Sequence, residues 1–164
     1  MRKILMALSL TAFAGMAMAQ PAGPPVKVKV DLPKTISANV DFVAMVRVTL
    51  PEGWHAYGPN PARKKGDEDF NTLLSVALTP NKAVSRFMPG KASPAPVAGK
   101  NAGEYIWEGD VAFPVTMRVK PGTKSVKLKL NVTHQICDSN TCLPPKTEVI
   151  EVLVTVKPAQ KASK

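Results

Sequence analysis

Val111-Ala112-Phe113-Pro114-Val115-Thr116-Met117-Arg118-Val119 is followed by Lys120-Pro121-Gly122-Thr123 and then by Val126-Lys127-Leu128-Lys129-Leu130-Asn131-Val132. Val111, Phe113, Val115, Met117 and Val119 take every second place in the first run, as do Val126, Leu128, Leu130 and Val132 in the second. Side chains alternate between the two faces of a β-strand, so a period of two gives each run one apolar face to bury. A Pro-Gly turn between two such runs reads as a hairpin. The same period recurs outward in both directions: Val26, Val28 and Val30; Val40, Phe42, Ala44, Val46, Val48 and Leu50; Ile150, Val152, Val154 and Val156. Leu73 to Leu78 and Val84 to Met88 read as shorter strands. No segment carries a 3.6-residue apolar period, and 16 prolines, each lacking a backbone donor, count against long helices. The prediction is an all-β protein, seven to nine short antiparallel strands in a two-sheet sandwich.

At 164 residues and 45% hydrophobic composition the chain fits one domain with a real core, and is too apolar to be disordered. Its N-terminus reads as a signal peptide. Arg2 and Lys3 precede an uncharged apolar run, Ile4 to Met18, which closes on Ala17-Met18-Ala19. The expected organisation is a signal peptide over 1–19, a Pro/Gly-rich flexible leader over 20–25, one β domain over 26–157 and a flexible basic tail over 158–164. Removing the first 19 residues takes away two cations and no acid, lowering the formal charge from +10 to +8. No later run is long enough to span a bilayer, so the mature protein is expected to be soluble and periplasmic, without a transmembrane segment. Lys27, Lys29, Lys127 and Lys129 alternate with apolar residues, the pattern of a solvated sheet face rather than a nucleic-acid site. Weak attraction to anionic surfaces or acidic partners is compatible with them. Gly58 to Asn71 and Pro89 to Gly103 are long irregular stretches, either binding loops or surface insertions.

The candidate chemistry lies in His134-Gln135-Ile136-Cys137-Asp138-Ser139-Asn140-Thr141-Cys142-Leu143-Pro144-Pro145. Asp138, Ser139 and Asn140 form turns, so the chain can reverse and bring the two cysteines within bonding range. An oxidising compartment favours a disulfide there. One reading is a binding or assembly module in which the pair is only a staple across a hairpin end, worth about 2 kcal/mol for so short a ring. The other is a redox pair, since a disulfide near the surface is open to a partner's thiolate. The residues leave both open. A third reading is a copper- or zinc-binding protein in which Cys137, Cys142, His134 and His55 surround a metal, with Met45, Met88 and Met117 as softer donors. Blue-copper spacing is missing because no His follows Cys142, and Met45 and Met117 fit strand faces, so no metal or other cofactor is predicted. Gly-x-Ser-x-Gly, His-Glu-x-x-His and phosphate-loop patterns are absent, and Asp67-Glu68-Asp69 beside Arg63, Lys64 and Lys65 reads as a mixed-charge loop. His55, next to Tyr57, either lines a site or is an ordinary surface histidine.

Three stretches together resemble the N-terminal periplasmic domain of the thiol:disulfide interchange protein DsbD, a protein-disulfide reductase. They are Pro51-Glu52-Gly53-Trp54-His55-Ala56-Tyr57, Tyr105-Ile106-Trp107-Glu108-Gly109 leading into Phe113-Pro114-Val115, and Cys137 to Pro145. The resemblance implies an immunoglobulin-like sandwich and a Cys137/Cys142 pair that cycles between dithiol and disulfide. It further implies that Cys142 forms the mixed disulfide with the partner and Cys137 resolves it. Tyr57 matches a tyrosine beside the pair, and His134 stands where an aromatic residue is commoner. The implied partners are a periplasmic thioredoxin-like protein and a membrane thiol reductase, with cytochrome c biogenesis among the dependent processes. The family covers its cysteines with an acidic-aromatic cap loop. No such run occurs between Met88 and Gly103, and Asp69-Phe70 has that chemistry further upstream. DsbD continues into a membrane segment and a thioredoxin domain, whereas this sequence ends at Lys164, so the expectation is either that a separate membrane reductase reduces it or that the fold has been reused.

Overall fold

The computed structural model describes residues 23–62 and 71–159. The expected signal peptide, the mixed-charge run 63–69 with Phe70, and most of the basic tail lie outside the described residues. Twelve strands are described: β1 (Lys27–Asp31), β2 (Thr35–Ser37), β3 (Asp41–Thr49), β4 (His55–Tyr57), β5 (Ser75–Leu78), β6 (Val84–Pro89), β7 (Val97–Ala98), β8 (Tyr105–Glu108), β9 (Asp110–Val119), β10 (Ser125–His134), β11 (Ile136–Cys137) and β12 (Lys146–Lys157). No helix occurs among the described residues. Two four-stranded sheets, in the orders β1-β3-β9-β6 and β2-β12-β10-β5, form an immunoglobulin-like sandwich. One pairing is parallel, β2 with β12; the others are antiparallel.

The alternating residues do fill the core. Val46, Val48, Val111, Val115, Met117 and Val119 from the first sheet meet Leu128, Leu130, Val132 and Val154 from the second, all at 0–1% exposure. Each such side chain contributes about 1.5–3 kcal/mol on burial. Lys127 and Lys129 stay outside and both reach Glu151 on β12. Val40, expected on the buried face of β3, is instead 52% exposed. It follows Asn39, whose φ of 60° turns the chain before the strand begins.

The expected hairpin between β9 and β10 does not form. β9 pairs with β3 and β6, and β10 pairs with β12 and β5, so Lys120 to Lys124 carries the chain from one sheet to the other. Two-residue hairpin turns need φ > 0 at their first central position, where Pro121 is fixed near −65°. Gly122, at φ 83°, supplies the left-handed second position of a type II turn, a geometry that splays the flanking strands. The hairpin that exists joins β10 to β12 over ten register pairs, from Ser125↔Thr155 to His134↔Lys146. Residues 135–145, between its arms, hold both cysteines.

A third sheet of short strands, in the order β11-β4-β8-β7, was not foreseen. Its runs of two to four residues are too short to show a period. Tertiary contacts create it: Ala56 of β4 is fully buried opposite Trp107 of β8, whose ring meets Phe113 edge-on at 5.7 Å and whose Nε1–H donates to the Pro94 carbonyl at 2.9 Å.

Candidate functional site

Because Ala56 points inward, its neighbours His55 and Tyr57 point to the opposite face. Their register partners come along: Cys137 and Glu108 beside His55, Ile106 beside Tyr57. These side chains floor an open hollow of about 430 Å³ at one end of the sandwich, and Cys142 stands at its side.

Cys137 and Cys142 are joined in a disulfide with an S–S distance of 2.05 Å. The loop between them is also held without it. The Asp138 carboxylate accepts the N–H groups of Asn140 and Thr141, both at 2.7 Å, and the Asp138 N–H donates to the Thr141 carbonyl at 2.9 Å. Beyond the cysteines, the Leu143 N–H donates to the Ile136 carbonyl at 2.9 Å. The two backbone donors, more than any charge, hold the Asp138 carboxyl below its ordinary range, with His55 adding a smaller electrostatic contribution. The two sulfurs differ sharply in access: Cys137 is 1% exposed, whereas Cys142 is exposed.

Tyr57 lies with its hydroxyl 3.9 Å from the Cys142 Sγ, and with the sulfur in a disulfide the hydroxyl is the donor. Burial first, and then the Glu104 carboxylate, push the Tyr57 hydroxyl above its usual pKa, so it keeps its proton at neutral pH. His55 meets the Tyr57 ring edge-on at 5.6 Å. The structure thus gathers Cys137, Cys142, Tyr57 and His55, while His134 stays apart. His134 ends the inward face of β10 at 4% exposure, and neither ring nitrogen has a hydrogen-bond partner among the described residues.

The far wall of the hollow comes from the irregular Pro89 to Gly103 stretch, read from the sequence as either a binding loop or a surface insertion, and its continuation, although none of its individual residues stood out there. Gly99, Lys100, Asn101 and Glu104 face the cysteines. Their turn is closed by the Gly99 N–H on the Glu104 carbonyl at 2.9 Å and by Asn101 Nδ2 on the Glu104 carboxylate at 2.9 Å. Glycines bracketing an Asn at 99–103 were the available signal for a turn, although nothing local showed which way it faced. Among the described residues no group of three or more His, Cys, Asp or Glu side chains could hold a metal ion, and both thiols are committed to each other. Nor is any described helix long and apolar enough to cross a membrane.

An immunoglobulin-like β domain presenting a half-buried disulfide is thus what fold and site together define. The chain belongs to the family of the thiol:disulfide interchange protein DsbD, N-terminal domain, whose model matches residues 20–154. A crystal structure of the Neisseria meningitidis DsbD N-terminal domain in the reduced form is similar at 15% identity and a TM-score of 0.42, over 68% of this chain and 77% of that one. No curated protein matches the chain.

His134 yields a pH prediction. Burial lowers its pKa below the ordinary 6.5, outweighing the Glu148 carboxylate that would raise it, while Lys146 lowers it further. The unfolded chain therefore binds a proton before the folded one does. Stability is complete above about pH 6.5 and falls as pH drops from there towards the folded pKa. Denaturant midpoints at pH 7.5 and 5.0 should differ in the wild type, and His134→Phe should remove most of that difference. An unchanged pH dependence in His134→Phe would show that another group titrates.

Proposed function

We propose that the domain is a thiol–disulfide interchange module that relays reducing equivalents between a membrane thiol reductase and a periplasmic thioredoxin-like partner. The observation that carries this reading is the unequal access of the two sulfurs. A partner thiolate attacks the exposed Cys142 Sγ; the Cys137–Cys142 bond breaks, and Cys137 leaves with the electron pair and takes up a proton. The partner's second thiolate then attacks its own sulfur in the mixed disulfide and releases Cys142. The pair gains two electrons and two protons, and the partner dithiol becomes a disulfide. Run in reverse, reduced Cys142 attacks a partner's disulfide and Cys137 resolves the adduct. The hydrogen bonds of Asp138 and Leu143 hold the loop without the S–S bond, which suits a pair that must survive both states.

Export through the 1–19 signal peptide places this exchange in the periplasm, where reducing equivalents for processes such as cytochrome c biogenesis must be delivered. The test combines stability with exchange. Cys137→Ala/Cys142→Ala should lose only about 2 kcal/mol, the chain-entropy value for so small a ring. Disulfide exchange with a reduced thioredoxin-like domain should vanish in the double variant and be present in the wild type. A wild type that fails to exchange, together with a larger stability loss in the variant, would leave the disulfide as a staple.

A further inference from the structure

The outer face of the β1-β3-β9 sheet carries a second hollow, of about 570 Å³. Its floor is built from two cross-strand rows. Lys29, Arg47 and Ala112 stand side by side in one, and Lys27, Thr49 and Asp110 in the next. Ser93 forms the wall, exchanging two backbone hydrogen bonds with Ala112 at 2.9 and 2.8 Å. The depression lies over Ala112, because a lone methyl group stands between the longer Arg47 side chain and that wall.

The charges in it are unbalanced. Three cations face one lining carboxylate, Asp110, which already accepts the Thr49 hydroxyl at 2.6 Å. Arg47 is held by Asp31 at 2.8 Å. Lys27 and Lys29 have no carboxylate at ion-pair distance among the described residues.

We propose that this hollow docks an extended, acidic segment of another protein. Lys27 and Lys29 are exposed, so either gains little from one small anion in water. A chain bearing several carboxylates collects those small gains together. Spacing favours a strand: Lys27 and Lys29 are two residues apart on one face of β1, about 6.6–7 Å. Alternate Asp or Glu residues of an extended peptide repeat at the same interval. Asp110 comes two residues after Glu108, which lines the disulfide hollow, so a segment bound here is delivered to the same end of the sandwich. The cationic field also speeds encounter with an acidic partner.

The probe is a fluorescent ten-residue peptide of alternating Glu and Thr, titrated into the full chain at low and at about 150 mM salt. Lys27→Glu/Lys29→Glu should weaken binding at low salt about tenfold, and so should the added salt in the wild type. Lys127→Glu/Lys129→Glu makes the same change in net charge on the opposite sheet and should leave binding within about twofold. Circular dichroism confirms that each variant is folded, and Lys27→Gln/Lys29→Gln should fall between wild type and charge reversal. Equal weakening by both Glu variants would overturn the proposal in favour of unspecific attraction to net charge. It would also be overturned by absence of binding, by displacement of the peptide by millimolar phosphate at constant ionic strength, or by phosphatidylglycerol vesicles that need Lys27 and Lys29 while the peptide does not.

Discussion

Cys137→Ser, purified from the periplasm and run on a non-reducing gel, should carry a covalent adduct to a thioredoxin-like domain through Cys142, whereas Cys142→Ser should carry almost none. The asymmetry follows from access. In Cys137→Ser the remaining thiol is the exposed one, beside the Tyr57 hydroxyl and at the open side of the hollow. Without Cys137 this chain cannot resolve the mixed disulfide, and in a partner whose second cysteine is also replaced by serine neither side can, so the adduct accumulates. In Cys142→Ser the remaining thiol is 1% exposed and lies in the β11–β4 pairing. A partner sulfur would have to open that pairing before it could attack. Beyond the Leu143 N–H bond to Ile136, Pro144 and Pro145 offer no backbone donor and pair with no strand among the described residues before β12 begins at Lys146, leaving room for an approaching surface. Mass spectrometry of the adduct identifies the bonded cysteine. Equal trapping by both variants would remove the assigned roles, and no trapping by either would argue for a structural disulfide.

The sequence revealed what short-range physics controls. The buried faces of β9 and β10 were legible because period-two alternation follows directly from strand geometry, and the turn at Asp138 to Thr141 because Asx side chains satisfy their own neighbours' backbone donors. Pairing partners are a different kind of information. β9 and β10 are adjacent in sequence and both amphipathic, yet they belong to opposite sheets, and only the φ of Pro121 hinted that the turn between them was no hairpin. The site divided along the same line. Both cysteines flank the locally legible Asp138 to Thr141 turn, whereas His55 and Tyr57 lie on β4, a run too short to show a period, and stood out only through the resemblance of Pro51 to Tyr57. The wall from Gly99 to Glu104 comes from an irregular stretch whose position depends on contacts distant in the chain. His134 reads as a polar residue next to the cysteines, but strand parity places it with Val132 and Leu130 on the inward face.

Trp107→Ala should be the most damaging single substitution near the site, costing about 3–5 kcal/mol, a large part of a typical domain's 5–15 kcal/mol. Trp107 is 3% exposed and belongs to β8, the strand that joins β4 to the wall-bearing segment beyond β7. Its ring also fills the space over Gly58, where an added Cβ would come 3.0 Å from Trp107 Cζ3 and 2.7 Å from the Pro96 Cβ. Truncation leaves a cavity among Ala56, Phe113 and Pro96, and it also strands the Pro94 carbonyl that the indole N–H now satisfies. Trp107→Phe keeps most of the volume and loses the hydrogen bond, so its cost should be nearer 1–2 kcal/mol. The damage should also be local. In Trp107→Ala, amide exchange at β4, β7 and β8 should accelerate more than in the β10–β12 ladder, whose ten register pairs do not involve the ring. Uniform acceleration across both would mean that the small sheet and the sandwich unfold as one unit, and that the disulfide hollow has no independent flexibility.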